Sequence, residues 1–178
     1  MYYVNSMDDS LTGQRQMVKF LNKKHISPET LSHMTSLAEF VLNKFFNKNK
    51  KDKLDIIVRF KKGMFAKSGE YGNCVWEDCH YRPNDFTIEM DPDQPLKLLL
   101  NTLAHELVHV KQWAKGEMYE LQRERAVYKF NGERIDLNNI DYWDMPWEIE
   151  AHGRAIGLVV QWVRSNKLEG RELVLEEV

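Results

Sequence analysis

The chain has 178 residues, 43% hydrophobic and 29% charged, with 25 basic against 27 acidic side chains and a net charge of −2. That length suits one domain burying about 70% of its unfolded surface, and the balance excludes both a wholly disordered chain and a broadly basic nucleic-acid binder. Two cysteines exclude a disulfide framework and suit a reducing compartment.

No apolar run approaches the roughly 18 residues of a spanning helix. The first residues carry neither the basic region nor the apolar stretch of an export signal. A cytoplasmic protein with no membrane partner is therefore expected.

In chain order, residues 10–24 read as a helix through Leu11, Met17, Val18, Phe20 and Leu21. A second helix is better marked. Ser27 suits an N-cap, Pro28 the first helical position and Glu29 the positive helix end. Leu31, Met34, Leu37, Ala38, Val41, Leu42, Phe45 and Phe46 follow at three- and four-residue steps, an apolar stripe that reads as core. The polar run 47–53 is a solvated connection. It separates an N-terminal helical segment, 1–50, from a core over 54–166, within a single domain spanning 1–178.

Residues 54–60 are short and β-branched and read as a strand, and 72–77 is a weaker candidate. Residues 86–90 alternate apolar and polar, as a half-buried strand does. The turn 91–95 follows, with Asp93 placed to cap a helix over 96–115 that ends at Gly116. Val127 to Ile135 carries a hairpin signal, because Asn131-Gly132 supplies the positive φ angles of a type I′ turn. A last helix opens near Pro146 and runs to about Asn166. The expected fold class is α+β. A small, mostly antiparallel sheet packs on helix 96–115 and the C-terminal helix, with the N-terminal helical segment added.

The chemistry concentrates in His105-Glu106-Leu107-Val108-His109. Two histidines four residues apart lie one helical turn apart on one face, so both imidazoles can grip one metal. Zn²⁺ takes histidine nitrogen and prefers four ligands. Glu106, beside them, is placed to take a proton from a water and pass it to a leaving amine. A shuffled chain of this composition contains the pattern about 0.015 times. The expected activity is thus zinc-dependent hydrolysis of peptide bonds, with Glu106 as general base and acid.

A catalytic zinc needs a third protein ligand. Six positions after His109 stands Lys115, so the extended three-histidine form fails. The last helix offers Glu148, Glu150 and His152. Glu150 is the expected ligand, because small Ala151 next to it lets two helices approach closely. Glu148 and His152, each about 200° around the helix from Glu150, remain rivals. Tyr142 is the expected donor to the oxyanion of the scissile carbonyl, with His152, Arg154, Tyr119 and Tyr128 as alternatives. Cys74 and Cys79-His80 lack the second cysteine pair of a zinc ribbon and read as free thiols in a loop.

The segment His105-Glu106-x-x-His109, followed some forty residues later by Glu150-Ala151 and preceded by a strand, resembles the gluzincin zinc metallopeptidases. It is closest in form to the minigluzincins and to SprT-like and phage-encoded peptidases. The resemblance covers about 54–166. It implies His105, His109 and Glu150 as zinc ligands, Glu106 as general base and acid, and a peptide or protein substrate paired along strand 86–90. One departure is that many gluzincins carry an Asp four residues after the ligand Glu, where this chain has Arg154. SprT-like proteins use a third histidine, which keeps His152 in contention. Two other readings stand beside the peptidase. One is a non-catalytic, zinc-stabilised binding or assembly module; the other is a DNA-associated SprT-like protease, although the neutral charge balance gives no support for a nucleic-acid partner.

Overall fold

The computed structural model describes residues 17–78, 80–121, 123–171 and 173–174. It contains a four-stranded sheet, a three-stranded sheet and three long helices that carry the core between them.

The chain enters through β1, Val18–Leu21. Val18 and Phe20 are buried while Lys19 and Leu21 are exposed, so the period is two. This corrects the helix expected over 10–24: within the described part, residues 18–21 are strand and Lys23–His25 a single 3₁₀ turn. Residues 10–16 lie outside the described residues. β1 pairs in parallel with β2, Asp55–Phe60, which sets Val18 against Ile56 and Phe20 against Val58. Parallel neighbours need a crossover. It is α1, Pro28–Phe45, begun by the Ser27 hydroxyl accepting from the Thr30 amide at 3.0 Å. A short helix α2, Lys48–Lys51, capped by Asn47, then leads into β2.

After a one-turn helix α3, Met64–Ser68, the chain lays down β3, Gly72–Trp76, and β4, Asp85–Met90. The sheet order is β1-β2-β4-β3, with β4 parallel to β2 and antiparallel to β3. The strand 86–90 expected to bind substrate at an edge is thus interior, and Phe86, Ile88 and Met90 are fully buried or nearly so. Its backbone groups are engaged on both sides. Among the described residues the open edge on that side belongs to β3, which pairs only with β4.

α4, Leu96–Lys115, follows, with Pro95 rather than Asp93 at its N-cap. Asp91 orders this turn instead, accepting from the amides of Phe65 at 2.9 Å and Asp93 at 3.0 Å. Gly116, at φ 70°, ends α4 in the left-handed conformation that glycine adopts without strain. The small sheet comprises β5, Met118–Glu120, β6, Val127–Phe130, and β7, Glu133–Asp136. Asn131 and Gly132 turn the β6-β7 hairpin, both at positive φ. α5, Pro146–Ser165, closes the fold.

The class is α+β, as expected, with the larger sheet mixed and the smaller antiparallel. One buried cluster runs through β1, α1, β2, β4, α4 and α5. α4 sits between α1, α5 and β3 and is buried on nearly every side. A polar residue on such a helix must find a partner or a function. His105, Glu106, Lys111 and Gln112 are all in that position.

Candidate metal centre

His105 and His109 rise from one face of α4 and meet Glu148 from the first turn of α5. The ring nitrogens Nε2 of the two histidines are 3.0 Å apart. Glu148 Oε2 lies 3.3 Å from His105 Nε2, and Oε1 lies 3.4 Å from His109 Nε2. All three donor atoms fall within 4.8 Å of one another. His105 and Glu148 are each 8% exposed, so the trio is close enough, and dry enough, to hold a metal ion. Among the described residues no other such group forms.

The electrostatics fit a cation site. Burial alone would lower the His109 pKa. The Glu148 hydrogen bond and the charges of Glu106 and Glu148 outweigh burial and lift it to about 9. Burial lowers His105 below the ordinary imidazole value, against the pull of Glu148. Burial likewise opposes ionisation of Glu148, yet its hydrogen bonds to both histidines hold it well below the usual carboxylate range. A proton on His109 Nε2 therefore sits among the donors, where a metal ion would replace it.

Glu106 occupies the next position on α4 and is 4% exposed. None of the described residues hydrogen-bonds to its carboxyl. Burial, with the charges of Glu148 and Glu70 behind it and His109 against, pushes it up to about 7. β3 comes close here because residue 72 is glycine. A Cβ on Gly72 would stand 2.9 Å from Glu106 Oε1 and 2.7 Å from Thr102 Cγ2.

Glu150, expected as the third ligand, is elsewhere. Its Oε1 accepts from Lys111 Nζ at 2.6 Å and Arg154 Nε at 2.7 Å, and its Oε2 from Gln112 Nε2 at 3.1 Å. The correction has a helical reason. Ala151 and Ala155 face α4 and are fully buried, and Glu148 shares their face three and seven residues earlier. Glu150 falls on the stripe of Arg154 instead. The small residue does allow close approach of the helices, but the carboxylate it admits is Glu148.

Tyr142, the expected oxyanion donor, lies at the site in another capacity. Its hydroxyl donates to Glu148 Oε2 at 2.8 Å, and burial followed by that contact raises its pKa. His152 stacks at the rim, its ring centroid 4.4 Å from that of His105 and 5.2 Å from that of Trp143. Arg154 is bound to Glu150. Tyr128 lines the deeper wall, while Tyr119 packs edge-on against Tyr81. Cys74, half-buried on β3, faces the cleft, and burial raises its pKa well above the usual thiol value. Cys79 lies outside the described residues.

The trio opens into a cleft of about 680 Å³ bounded by β3 on one side and by Tyr142 and Trp143 on the other. Trp76 and Trp113, stacked at 3.8 Å, and Tyr128 form its deeper wall. No described helix is long and apolar enough to cross a membrane. Comparisons with protein-family models, with curated proteins and with solved structures return no match to this chain.

Proposed function

We propose that this chain is a zinc-dependent peptidase whose ligands are His105, His109 and Glu148. The observation that carries the reading is the meeting of those three donors beside the otherwise unengaged carboxyl of Glu106, in an open cleft. Donors at about 2.0–2.1 Å around a tetrahedral zinc stand about 3.3–3.4 Å apart. The two histidine nitrogens are 3.0 Å apart and each lies 3.3 or 3.4 Å from one of the two Glu148 oxygens, near that spacing. Two imidazoles and one carboxylate also match the donor set of three-ligand catalytic zinc. A zinc ion held there would supply Lewis acidity toward water and the scissile carbonyl.

Glu106 takes the proton of the attacking water and delivers it to the leaving nitrogen. A pKa of about 7 suits both halves of that task near neutrality. The substrate is an extended peptide adding to the open edge of β3, in place of the interior strand 86–90. Its side chain would enter the aromatic wall of Trp76, Trp113 and Tyr128. Tyr142 first holds Glu148 in place. His152, which lines the cleft and forms no hydrogen bond to a described residue, is the better-placed donor to the oxyanion. The open cleft beside Glu106 favours an enzyme over a closed zinc-stabilised module.

The test is purification without added metal, elemental analysis, and an assay on unstructured peptides with Glu106→Gln alongside. About one zinc per chain is expected, with cleavage reduced roughly 10²–10⁴-fold in the variant and zinc retained. Full cleavage by Glu106→Gln overturns the mechanism. A chain that takes up no zinc overturns the function.

A further inference from the structure

His109 has two ring nitrogens, and Nε2 alone faces His105 and Glu148. Its Nδ1 lies 2.8 Å from Gln112 Oε1. Which atom of the Gln112 amide faces the ring is decided on the amide's other side. There Gln112 Nε2 lies 2.9 Å from the Trp147 carbonyl oxygen and 3.1 Å from Glu150 Oε2. A carbonyl accepts and never donates, and a carboxylate bound to Lys111 and Arg154 is likewise an acceptor. The NH₂ must point at these two oxygens, so the amide oxygen must point at His109. Gln112 is 0% exposed, so a reversed amide would leave two acceptors facing each other across a buried gap. Nδ1 of His109 therefore carries a proton, so in the neutral ring it is Nε2 that holds the lone pair a cation would take.

The same amide does a second thing. Trp147 directly precedes Glu148, and Glu150 follows it by two. By holding both, Gln112 pins the first turn of α5 to α4 at the height from which Glu148 reaches the histidines. We infer that Gln112 is the positioning residue of this metal centre, one buried amide fixing the tautomer of His109 and the placement of Glu148 together. Glu150, anchored by Lys111 and Arg154, is the fixed end of that brace. An amide in this role orients the imidazole without adding charge to the site, as a carboxylate there would. The inference rests on the metal reading above for its purpose, and on hydrogen bonding alone for its geometry.

The test uses the full chain as wild type, Gln112→Met and Gln112→Glu, with two readouts. The first is the ¹⁵N spectrum of the His109 ring in the metal-free protein, in its neutral form. The second is zinc affinity by chelator competition, with the visible spectrum of the cobalt-substituted protein beside it. Wild type should show the Nδ1–H tautomer. Gln112→Met should lose it and bind zinc about 10–100-fold more weakly, with an altered cobalt spectrum. Gln112→Glu keeps an acceptor for Nδ1–H, so it should retain the tautomer and recover part of the affinity. A wild-type Nε2–H tautomer overturns the inference, as does a Gln112→Met protein with wild-type affinity and spectrum. If Gln112→Met does not fold, loss of the Nδ1–H tautomer in Gln112→Glu overturns it equally. Wild type that shows the expected tautomer but takes up no zinc defeats the peptidase reading and Gln112's part in a metal centre, leaving the tautomer assignment standing.

Discussion

Two carboxylates two residues apart on α5 have opposite surroundings. Glu150 meets two basic side chains, Lys111 at 2.6 Å and Arg154 at 2.7 Å. Glu148 meets two imidazoles and a tyrosine hydroxyl. Burial works against ionisation at both, and at both the partners win, so both stay below the usual carboxylate range. The difference lies in what balances the charge. At Glu150 it is side chains that cannot leave. At Glu148 it is a proton on His109, which can be exchanged for a metal ion. Of the two glutamates, the buried one whose counter-charge is an exchangeable proton is therefore the candidate ligand.

The strongest way to break this comparison is to neutralise each glutamate in turn. Glu148→Gln replaces an anionic donor with a neutral amide, whose remaining oxygen is a weaker ligand. Its effect on zinc affinity should exceed the roughly 10–100-fold that loss of a residue supporting a ligand produces. Glu150→Gln keeps an oxygen for the Gln112 amide and leaves Lys111 paired with Glu117 at 2.6 Å, so its affinity should stay within about tenfold of wild type. Chelator competition on both proteins decides it. Equal losses would mean the two carboxylates are not distinguished as the geometry has them.

The same contrast shows what could be read in advance. His105, Glu106 and His109 were legible because their arrangement is local: helical periodicity alone brings 105 and 109 together. Glu148 was harder, yet a signal existed. Ala151, Ala155, Leu158 and Trp162 form the buried stripe of α5, and extended backwards at three- and four-residue steps it passes through 148 and not 150. The expectation of Glu150 rests on its neighbour in sequence, whereas the face of a helix is set by residues three and four positions away. β1 reads as helix because four residues give little room to tell a period of two from 3.6. Its partner strand lies beyond α1 and a further turn of helix. That the open edge belongs to β3 and not β4 is a matter of strand order, which no local pattern carries.

A change of pH sharpens the comparison next. In the metal-free protein His109 titrates at about 9, against 6.5 for an unconstrained imidazole. Its folded pKa is the higher one, so the stability it contributes is complete below about pH 6.5 and lost as pH rises through about 9. Glu106, raised to about 7 from 4.5, acts in the same direction over a lower window, its acid form being favoured by the fold. The metal-free chain should therefore melt at progressively lower temperature from pH 7 to 9, and the zinc-loaded chain much less so. Zinc must displace the His109 proton, so apparent affinity should climb about tenfold per pH unit until it flattens near 9. In Glu148→Gln the group that lifts His109 is weakened, so the plateau should begin at lower pH. An affinity flat from pH 7 to 9 in wild type would show that no such proton is held there.

The smallest expected effect probes Glu106 without touching a donor atom. Gly72 allows β3 to pass against α4. Alanine there would place its Cβ 2.7 Å from Thr102 Cγ2 and 2.9 Å from Glu106 Oε1, closer than a carbon sits to either. Thr102 is held by its hydroxyl, which donates to Gln94 Oε1 at 2.9 Å, whereas the Glu106 carboxyl has no such tether and is the group that gives way. Overpacking of this kind costs about 1–3 kcal/mol, which corresponds to a fall of about 2–12 °C in melting temperature for a chain of this size. His105, His109 and Glu148 keep their places, so zinc affinity should be unchanged within about twofold of wild type, while turnover falls as the general base is displaced. Peptide cleavage and zinc affinity measured on the same Gly72→Ala preparation separate the two. A parallel loss of both would mean that β3 supports the metal ligands as well as Glu106, and that the division between donor atoms and proton carrier on this face of α4 is less clean than the distances make it.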